Sequence, residues 1–401
     1  MQYSQSKIKK CLKAGKLNME HIDRAVKNIV GVLIRQVPKI KPRPMELVGC
    51  AEHRSLAREI AQKGMVLLKN DNALPLKPTD TLFAGGPSAN EVNVGDFGSS
   101  RVFDKQVATP YAALQKEFGN VSLQQADGQV AVLFVGSNRK EEGEYFANLK
   151  YSMQEKPKDC GGDRASLRLS AEEVALIKGC KQAGKKVVVV LYSGAAIITE
   201  DWKQYADAIV MQYYSGCEGA TALAELLVGK ANFSGKLPFT VAKTEQDYPA
   251  MIGIGEKPYV IEYGYYHGYT LLDHEGKQAE YPFGFGLSYT RFDIESFAVE
   301  QDEKTLYVKV AVKNTGERDG AEVVQVYAGS TAKDKERPHK LLKGFKRVEL
   351  AAGSSQTVTL AVEKDDLRFY ENGQWLLDEA YTIYAGSSSE ECEKHNTTVA
   401  M

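Results

Sequence analysis

The stretch KKVVVVLYSG (residues 185–194) sets four valines and a leucine in a row between two lysines and a polar end. A short apolar run of this kind, rich in β-branched residues, is typical of a strand that is covered on both faces of a sheet. QVAVLFVGS (129–137) and ADAIVMQYYSG (206–216) have the same character. The three runs predict buried strands of one mostly parallel sheet.

Helical patterns alternate with these runs. SAEEVALIKGCKQAG (170–184) begins with the N-cap candidate Ser170, carries two glutamates in its first turn and stops at Gly184. GATALAELLVGK (219–230) predicts another helix, and HRSLAREIAQKGMVLLKN (53–70) is predicted to be helical throughout. Alternating strands and helices indicate an α/β sandwich whose ligands meet the loops at the carboxyl ends of the strands.

From residue 291 onward, apolar and polar residues alternate instead. The alternating runs are TLYVKVAVKNTG (305–316), AEVVQVYAG (321–329), KGFKRVEL (343–350) and QTVTLAVE (356–363). Short strands at this spacing, separated by turn-forming segments, predict a β-sandwich of the immunoglobulin type. Because the paired cysteines of antibody domains are missing, a fibronectin type III-like sandwich fits better.

The start of the chain holds one amphipathic helix and a linker. LNMEHIDRAVKNIVGVLI (17–34) has Asn18 as N-cap candidate and a single apolar stripe, formed by Ile22, Val26, Ile29 and Leu33. The proline-rich RQVPKIKPRPMEL (35–47) predicts an exposed linker. A lone helix cannot bury such a stripe, so it is expected to be the end of a larger domain. The predicted domains are residues 1–48, 49–290 and 291–401.

The composition is that of an ordinary globular protein with more than one domain. The chain has 401 residues, 43% apolar and 26% charged, with a net charge of −1. This balance argues against nucleic acid or an anionic membrane as a partner, and no apolar run approaches the roughly 20 residues of a membrane helix. The first residues lack the apolar core of a secretory signal, which favours a cytoplasmic location. Neither the cysteines nor the histidines form a metal-binding pattern, so no metal and no cofactor are expected.

The predicted strand QVAVLFVGS (129–137) leads into a candidate site. VGSNRKEEGEYF (135–146) places Glu141, Glu142 and Glu144 where the chain leaves the strand. One interpretation is a solvated acidic loop without a function. The other is a carboxyl group held at a strand end to give and take a proton, since crowded carboxylates raise one another's pKa.

Two other motifs suggest alternative functions, nucleotide binding and catalysis by a cysteine nucleophile. AGGPSANEVNVGDFGSS (84–100) is rich in glycine and follows a strand, but it lacks the spacings of nucleotide-binding loops. SGCEG (215–219) differs in residue order from the G-x-S-x-G elbow, and no histidine stands beside Cys217 in the sequence. A nucleotide-binding α/β protein and a cysteine nucleophile are therefore both disfavoured.

Several blocks occur in an order that is typical of one family. They are GMVLLKNDNALPLK (64–77), YSGCEGATALAELLVGKANFSGKLPFTV (214–241), YPFGFGLSYTRF (281–292), VKNTGERDGAEVVQVY (312–327) and RPHKLLKGFKRVEL (337–350). In this order they resemble the C-terminal portion of glycoside hydrolase family 3, the β-glucosidase and β-xylosidase group. The resemblance implies an (α/β)6-type sandwich with a mostly parallel sheet, followed by a fibronectin type III-like domain.

The same resemblance accounts for the N-terminal helix. IKKCLKAGKLNMEHIDRAVKNIVGVLI (8–34) is similar to the last helix of the family's (β/α)8 barrel, and the rest of that barrel is missing from this sequence. In the family, the barrel supplies the aspartate nucleophile and most of the sugar pocket. The resemblance therefore implies a partner, either a barrel domain on another chain or a second copy of this chain, and leaves the nucleophile unknown.

The resemblance also gives a role to the acidic stretch. A retaining glycosidase uses two carboxyl groups about 5–5.5 Å apart, one as nucleophile and one as acid and then base. In many family members the acid/base glutamate lies on the loop before a stretch that corresponds to GGDRASLRL (161–169). This correspondence implies Glu144 as the acid/base residue, with Glu142 second and Glu141 third.

Neighbouring side chains are implied as substrate-binding residues. Tyr145 and Phe146 offer aromatic faces, and Ser99 belongs to a glycine-serine loop that faces the barrel in the family. Asp163 and Arg164 are expected to pin the loop through an ion pair, with a sugar contact as the alternative.

The implied function is part of a retaining β-glycosidase, first of all a β-glucosidase, that hydrolyses terminal β-linked glucose in a β-glucoside or oligosaccharide. Without the barrel nucleophile, the chain by itself is expected to be inactive. The alternative is a non-catalytic carbohydrate-binding or scaffolding protein derived from the same family.

Overall fold

The structure, a computed structural model, describes residues 4–41, 44–94, 104, 106–137, 166–249 and 264–401. The chain divides into two compact units, Met1–His53 and Arg54–Met401. The α-helices of the described part are α1 (Gln5–Lys13), α2 (Met19–Gln36), α3 (Ala51–Gly64), α4 (Pro110–Glu117), α5 (Ala171–Gln182), α6 (Gly219–Leu227) and α7 (Gly268–Glu275). Short 3-10 turns lie at Val37–Lys39, Met45–Leu47, Lys203–Tyr205, Glu245–Asp247, Lys364–Leu367 and Glu391–Lys394.

Helix α2 of the first unit begins where the sequence predicts. The side chain of Asn18 accepts a hydrogen bond from the His21 amide at 3.0 Å, and the Asn18 amide donates to Nδ1 of His21 at 3.3 Å, so the two residues form a reciprocal cap. The predicted stripe is exposed: Val26 is 51% accessible, Ile29 62% and Leu33 51%.

The first part of the second unit is an α/β sandwich. Its strands are β1 (Val66–Asn70), β2 (Thr81–Gly85), β3 (Asn120–Ser122), β4 (Val130–Gly136), β5 (Lys186–Tyr192) and β6 (Ala208–Met211). They form a sheet in the order β1-β6-β5-β4-β2-β3, in which every neighbouring pair is parallel except β1 and β6. The predicted mostly parallel sheet is confirmed.

Strand β4 shows why the apolar runs are continuous. Phe134 packs in one core cluster with side chains of α4 and α6, whereas Leu133 packs in another with Ile177 of α5 and Trp202. Successive residues of a strand point to opposite faces, and both faces of this sheet are covered. Every position of the run must therefore be apolar.

One part of the helix prediction for residues 53–70 is wrong. Helix α3 ends at Gly64, and the following residues form β1, an edge strand antiparallel to β6. Met65, Val66 and Leu67 are fully buried. A run that is apolar at every position suits a strand between two covered faces better than an amphipathic helix, which needs a polar side.

The second part of this unit is an antiparallel β-sandwich, as predicted. Its strands are β7 (Phe292–Gln301), β8 (Thr305–Asn314), β9 (Gly320–Ser330), β10 (Leu341–Leu350), β11 (Ser355–Glu363), β12 (Phe369–Glu371), β13 (Gln374–Leu376), β14 (Ala380–Gly386) and β15 (Asn396–Ala400). One sheet has the order β10-β9-β14-β15, the other β11-β8-β7, and β12 pairs with β13 in a hairpin. Val310, Val326 and Ile383 belong to the core that joins the two larger sheets.

Candidate functional site

The carboxyl ends of β2, β4, β5 and β6 lie at one edge of the sheet because these strands run parallel. In open α/β sheets this edge is where ligands bind. The polar residues that directly follow the strands are almost inaccessible, namely Ser137 (2%), Ser193 (0%) and Gln212 (2%). The edge therefore combines a rigid apolar base with buried hydroxyl and amide groups.

Two strand ends require glycine. Gly86 has a φ of +95° and Gly136 a φ of +102°, a region that favours glycine. A side chain at Gly86 would collide with the carbonyl oxygen of Phe134, and one at Gly136 with that of Tyr192. Beside Gly86 lies an open cavity of about 410 Å³. Close backbone packing thus sets the direction in which the chain leaves these strands.

A carboxylate fixes the point where the chain leaves β4. Glu173, in the first turn of α5, accepts a hydrogen bond from the Gly136 amide at 2.8 Å. Its other oxygen accepts from the amide of Ser170 at 3.0 Å and closes the cap of the helix. The Ser137 amide donates to the carbonyl of Tyr192 at 2.7 Å. The end of β4, the end of β5 and the start of α5 are therefore joined at this point.

The chain re-enters the described structure at Ser166, and this point is also fixed. Glu245 accepts hydrogen bonds from the Ser166 hydroxyl at 2.6 Å and from the Leu167 amide at 2.5 Å. The Leu167 carbonyl accepts from the amide of Ile198 at 2.9 Å, in the segment that follows β5. Arg168 pairs with Asp201 of the same segment at 2.5 Å. The described residues on either side of segment 138–165, its two stems, are thus both hydrogen-bonded to the chain at the end of β5 or shortly after it.

The predicted site residues themselves lie outside the described residues. These are Glu141, Glu142, Glu144, Tyr145, Phe146, Asp163 and Arg164 in segment 138–165, and Ser99 in segment 95–103. Their roles as acid/base and sugar-binding residues stay predictions. What the described structure gives is the position at which the first segment leaves and rejoins the fold.

A cluster of charged side chains is centred on Glu218, in the loop between β6 and α6. Glu218 is 6% exposed and accepts from Arg54 at 2.8 Å and from Arg58 at 2.9 Å. Arg54 also binds both oxygens of Asp104, at 2.8 and 2.7 Å. The hydrogen bond to Glu218 raises the pKa of Arg54 above its ordinary value. The cluster clamps α3, the start of α6 and the chain that follows segment 95–103.

Sequence reasoning missed this cluster, although a signal was present. Arg54 and Arg58 are one helical turn apart on α3, and Glu218 and Glu225 are two turns apart at the start of and within α6. Arg58 bridges both glutamates. Such spacing predicts two complementary charged faces, but not that they face each other. The role of Glu218 shows that the SGCEG motif serves as an anchor for α6.

Two tyrosines near the edge hold neutral phenol groups. Burial raises the pKa of Tyr192, and a hydrogen bond with Gln212 only partly offsets that effect. Burial also raises the pKa of Tyr213, which has a φ of +56° and directly follows Gln212. Burial therefore keeps both phenols protonated near neutral pH, and both rings pack against the apolar cores.

The described residues also bear on two further classes of function, metal binding and membrane spanning. Within the part of the chain that the structure describes, no three His, Cys, Asp or Glu side chains are grouped as a metal site. None of the described helices combines the length and apolarity needed to cross a bilayer. The hydroxyl and amide groups at the described edge are almost inaccessible, so they support the strand ends from within the fold.

The fold and this edge define a protein in which a parallel α/β sandwich is joined to a fibronectin type III-like domain. Residues 65–289 match the glycosyl hydrolase family 3 C-terminal domain, and residues 322–389 match the fibronectin type III-like domain. Because the first match covers more than half of the sequence, the chain belongs to glycosyl hydrolase family 3. The resemblance inferred from the sequence blocks is confirmed.

Relatives with known activities match nearly the whole chain. Thermostable β-glucosidase B of Acetivibrio thermocellus is 29% identical over 98% of this chain and 55% of its own length. An exo-α-(1→6)-L-arabinopyranosidase of Bifidobacterium breve is 27% identical over 100% of this chain and 55% of its own length. The crystal structure of a family 3 β-glucosidase of Bifidobacterium adolescentis has a TM-score of 0.84 at 27% identity, over 99% of this chain and 60% of that one. The chain thus spans about half the length of the relatives it matches, their C-terminal part.

Proposed function

We propose that this chain is the acid/base-bearing part of a retaining β-glycosidase, with a β-glucoside as substrate. In this proposal Glu144 supplies the acid/base carboxyl, and Glu142 is the second choice. The nucleophile comes from a (β/α)8 barrel outside the 401 residues. The relatives named as β-glucosidases support the choice of substrate class.

The observation that carries the proposal is the attachment of segment 138–165. At one stem Glu173 accepts a hydrogen bond from the Gly136 amide, and at the other Glu245 accepts two, from the Ser166 hydroxyl and the Leu167 amide. Fixed stems at a ligand-binding edge support the delivery of a side chain to a substrate from a segment of this length.

The chemistry assigned to Glu144 has two steps. As an acid it protonates the glycosidic oxygen while the nucleophile attacks the sugar, so that the leaving group departs as a neutral alcohol. As a base it then takes a proton from the water that hydrolyses the glycosyl intermediate. Three glutamates in four positions support the first step, because neighbouring negative charges raise the pKa of one of them.

Exposed apolar side chains support a protein partner. In the first unit, Val26 and Ile29 are 51% and 62% exposed, and in the second, Leu56 and Ile60 of α3 are 55% and 62% exposed. Helix α2 has no buried residue and α3 only Ala61, and exposed apolar patches of this kind mark interaction surfaces. We propose that the partner is the barrel, supplied by another chain or by a further segment, and that the chain without it does not hydrolyse glycosides.

A chimera tests the proposal. This chain would replace the matching C-terminal part of thermostable β-glucosidase B, and the product would be assayed on cellobiose and on a nitrophenyl β-glucoside. Glu144→Gln should lower kcat on cellobiose by about 10²–10⁴-fold, the usual worth of general acid catalysis. The loss should be much smaller on the nitrophenyl glucoside, because nitrophenolate leaves without a proton.

Glu142→Gln is the matched control, since it makes the same change two positions away. It should leave the ratio of the two activities near that of the unchanged chimera. If both variants lose the two activities equally, the segment has a structural or binding role and Glu144 is not the acid. If Glu142→Gln alone shows the leaving-group dependence, the acid/base role passes to Glu142.

A further inference from the structure

The hairpin β12–β13 carries an aromatic pair on the surface of the β-sandwich. Asn372 and Gly373 connect the strands with φ values of 51° and 81°, as a two-residue type I′ turn requires. Tyr370 and Trp375 are direct partners in the register. The ring centroids are 5.3 Å apart, and the ring planes are inclined by 59°.

Both rings face solvent. Tyr370 is 64% exposed and Trp375 is 62% exposed. The protein contains only two tryptophans, and the other one, Trp202, is 1% exposed. A pair of large aromatic side chains gains little from burial in this arrangement, and adjoining exposed aromatic groups are candidates for a binding surface.

The hairpin is held in place from below. The guanidinium of Arg337 lies over the ring of Phe369 at 4.4 Å and binds Glu371 at 2.9 Å. Arg337 also binds the buried Asp378 at 3.1 Å. The hairpin therefore rests on a charged network of the sandwich, so its backbone is ordered before a ligand binds to the two rings.

We propose that Tyr370 and Trp375 form a binding site for a twisted β-glucan chain. The flat faces of a glucopyranose carry axial C–H groups, which are attracted to the electron-rich face of an aromatic ring. Rings inclined to one another match a chain whose successive sugars turn, as they do in β-1,3-glucan. Asn372, in the exposed turn between the strands, offers an amide group to the sugar hydroxyls.

The exposed area of the Tyr370 and Trp375 rings is too small for a stable interface with a protein partner. Two aromatic side chains that are about two-thirds exposed offer less than the 150–250 Å² that each would bury in full, which is well below the roughly 800 Å² that each side of a stable protein interface buries. Two adjacent sugar rings need no more than this area. This site rests on the sandwich alone and requires neither turnover nor a barrel, so its test is independent of the proposed acid/base role.

Affinity electrophoresis of the full chain in gels that contain soluble β-1,3-glucan measures the binding. The unchanged chain should be retarded in proportion to the glucan. Tyr370→Ala and Trp375→Ala should each weaken binding by about tenfold. Phe345→Ala is the matched control, because Phe345 is exposed to a similar extent, 68%, on the same sandwich, and it should leave the retardation unchanged.

Fluorescence gives an independent measurement. Iodide quenches exposed tryptophan, so the quenched fraction reports Trp375 and not Trp202. Saturating glucan should protect it. Trp375→Tyr, which keeps an aromatic face, should retain most of the retardation and shows that loss in Trp375→Ala does not come from misfolding. No retardation of the unchanged chain, or an equal loss in Phe345→Ala, would overturn the proposal. Full binding by Trp375→Ala with a lowered melting temperature would also overturn it, since the pair would then only stabilise the hairpin.

Discussion

Asp378 is a buried carboxylate that its neighbours keep charged. Its side chain is 2% exposed and accepts hydrogen bonds from Lys335, Arg337 and Ser330. Burial by itself raises the pKa of Asp378, but these three hydrogen bonds outweigh it and lower the pKa to about 2. A pKa below that of the unfolded chain means that the carboxylate stabilises the fold above about pH 4. This stabilisation is lost as the pH falls from there towards the folded pKa.

Replacing Asp378 with asparagine should lower the free energy of unfolding at pH 7 by about 3 kcal/mol, because Lys335 loses its carboxylate partner and the nearly buried Arg337 keeps only Glu371. The variant should also lose less stability than the unchanged chain on acidification from about pH 4 to pH 2. Urea unfolding at a series of pH values measures both effects. Asp365→Asn is the control: Asp365 is 83% exposed and pairs with Arg368, so its change should cost less than about 1 kcal/mol. Equal costs for the two variants would contradict the argument.

At the scale of elements, Glu173 joins a helix to a strand end. It closes the cap of α5 and holds the Gly136 amide at the end of β4. Glu172, one position earlier, is exposed in the same first turn. Both carboxylates interact favourably with the helix dipole, so a comparison of the two isolates the contribution of the hydrogen bonds.

Glu173→Gln should lower the free energy of unfolding by about 1–2 kcal/mol, since charge-assisted hydrogen bonds to two backbone amides are weakened. Glu172→Gln should cost no more than about 0.5 kcal/mol through the dipole alone. Hydrogen exchange at the Gly136 amide should accelerate in the first variant only. An unchanged exchange rate in Glu173→Gln would show that the anchor contributes nothing to the stem of segment 138–165.

Helices and strands whose ends or burial are determined by nearby residues could be predicted from the sequence. Helix α5 carries its own start at Ser170 and its own stop at Gly184, which has a φ of +75°. The continuous run of β4 shows its burial on both faces. The boundary at Gly64 does have a local signal, since Lys63 and Gly64 form a typical helix end, and the prediction wrongly extended the helix into the apolar run that follows. Burial of that run against β6 depends on residues far along the chain.

The candidate site was predictable only in part, for the same reason. Strand ends mark the edge of the sheet, and Ser137, Ser193 and Gln212 do lie there. The contact of Arg54 with Glu218 joins residues 164 positions apart, which no local pattern contains. The assignment of Glu144 comes from resemblance to a family and stays a prediction, since that residue lies outside the described part of the chain.

At the scale of the whole molecule, a buried lysine joins the α/β sandwich to the β-sandwich. Lys340 is 2% exposed and binds Asp273 of α7 at 2.8 Å and Glu393 at 2.7 Å. Burial lowers the pKa of Lys340, but hydrogen bonds to the two carboxylates outweigh it, and the pKa is raised overall. The lysine is therefore charged throughout the neutral range, and its contribution to stability is lost only as the pH rises above about 10.5.

Lys340→Met keeps most of the side-chain volume and removes the charge, which leaves two carboxylates without their common cation. The free energy of unfolding should fall by about 3 kcal/mol. Because the lost contact lies between the two sandwiches, calorimetry should resolve two transitions for Arg54–Met401 of the variant, whereas a single transition is expected for this unit in the unchanged chain. Lys394→Met is the control, since Lys394 is 65% exposed and pairs with Glu391 at the surface. It should change the midpoint little. A single transition with an unchanged midpoint in Lys340→Met would show that the remaining contacts, such as that of Lys236 with Glu322 at 2.6 Å, suffice to couple the two sandwiches.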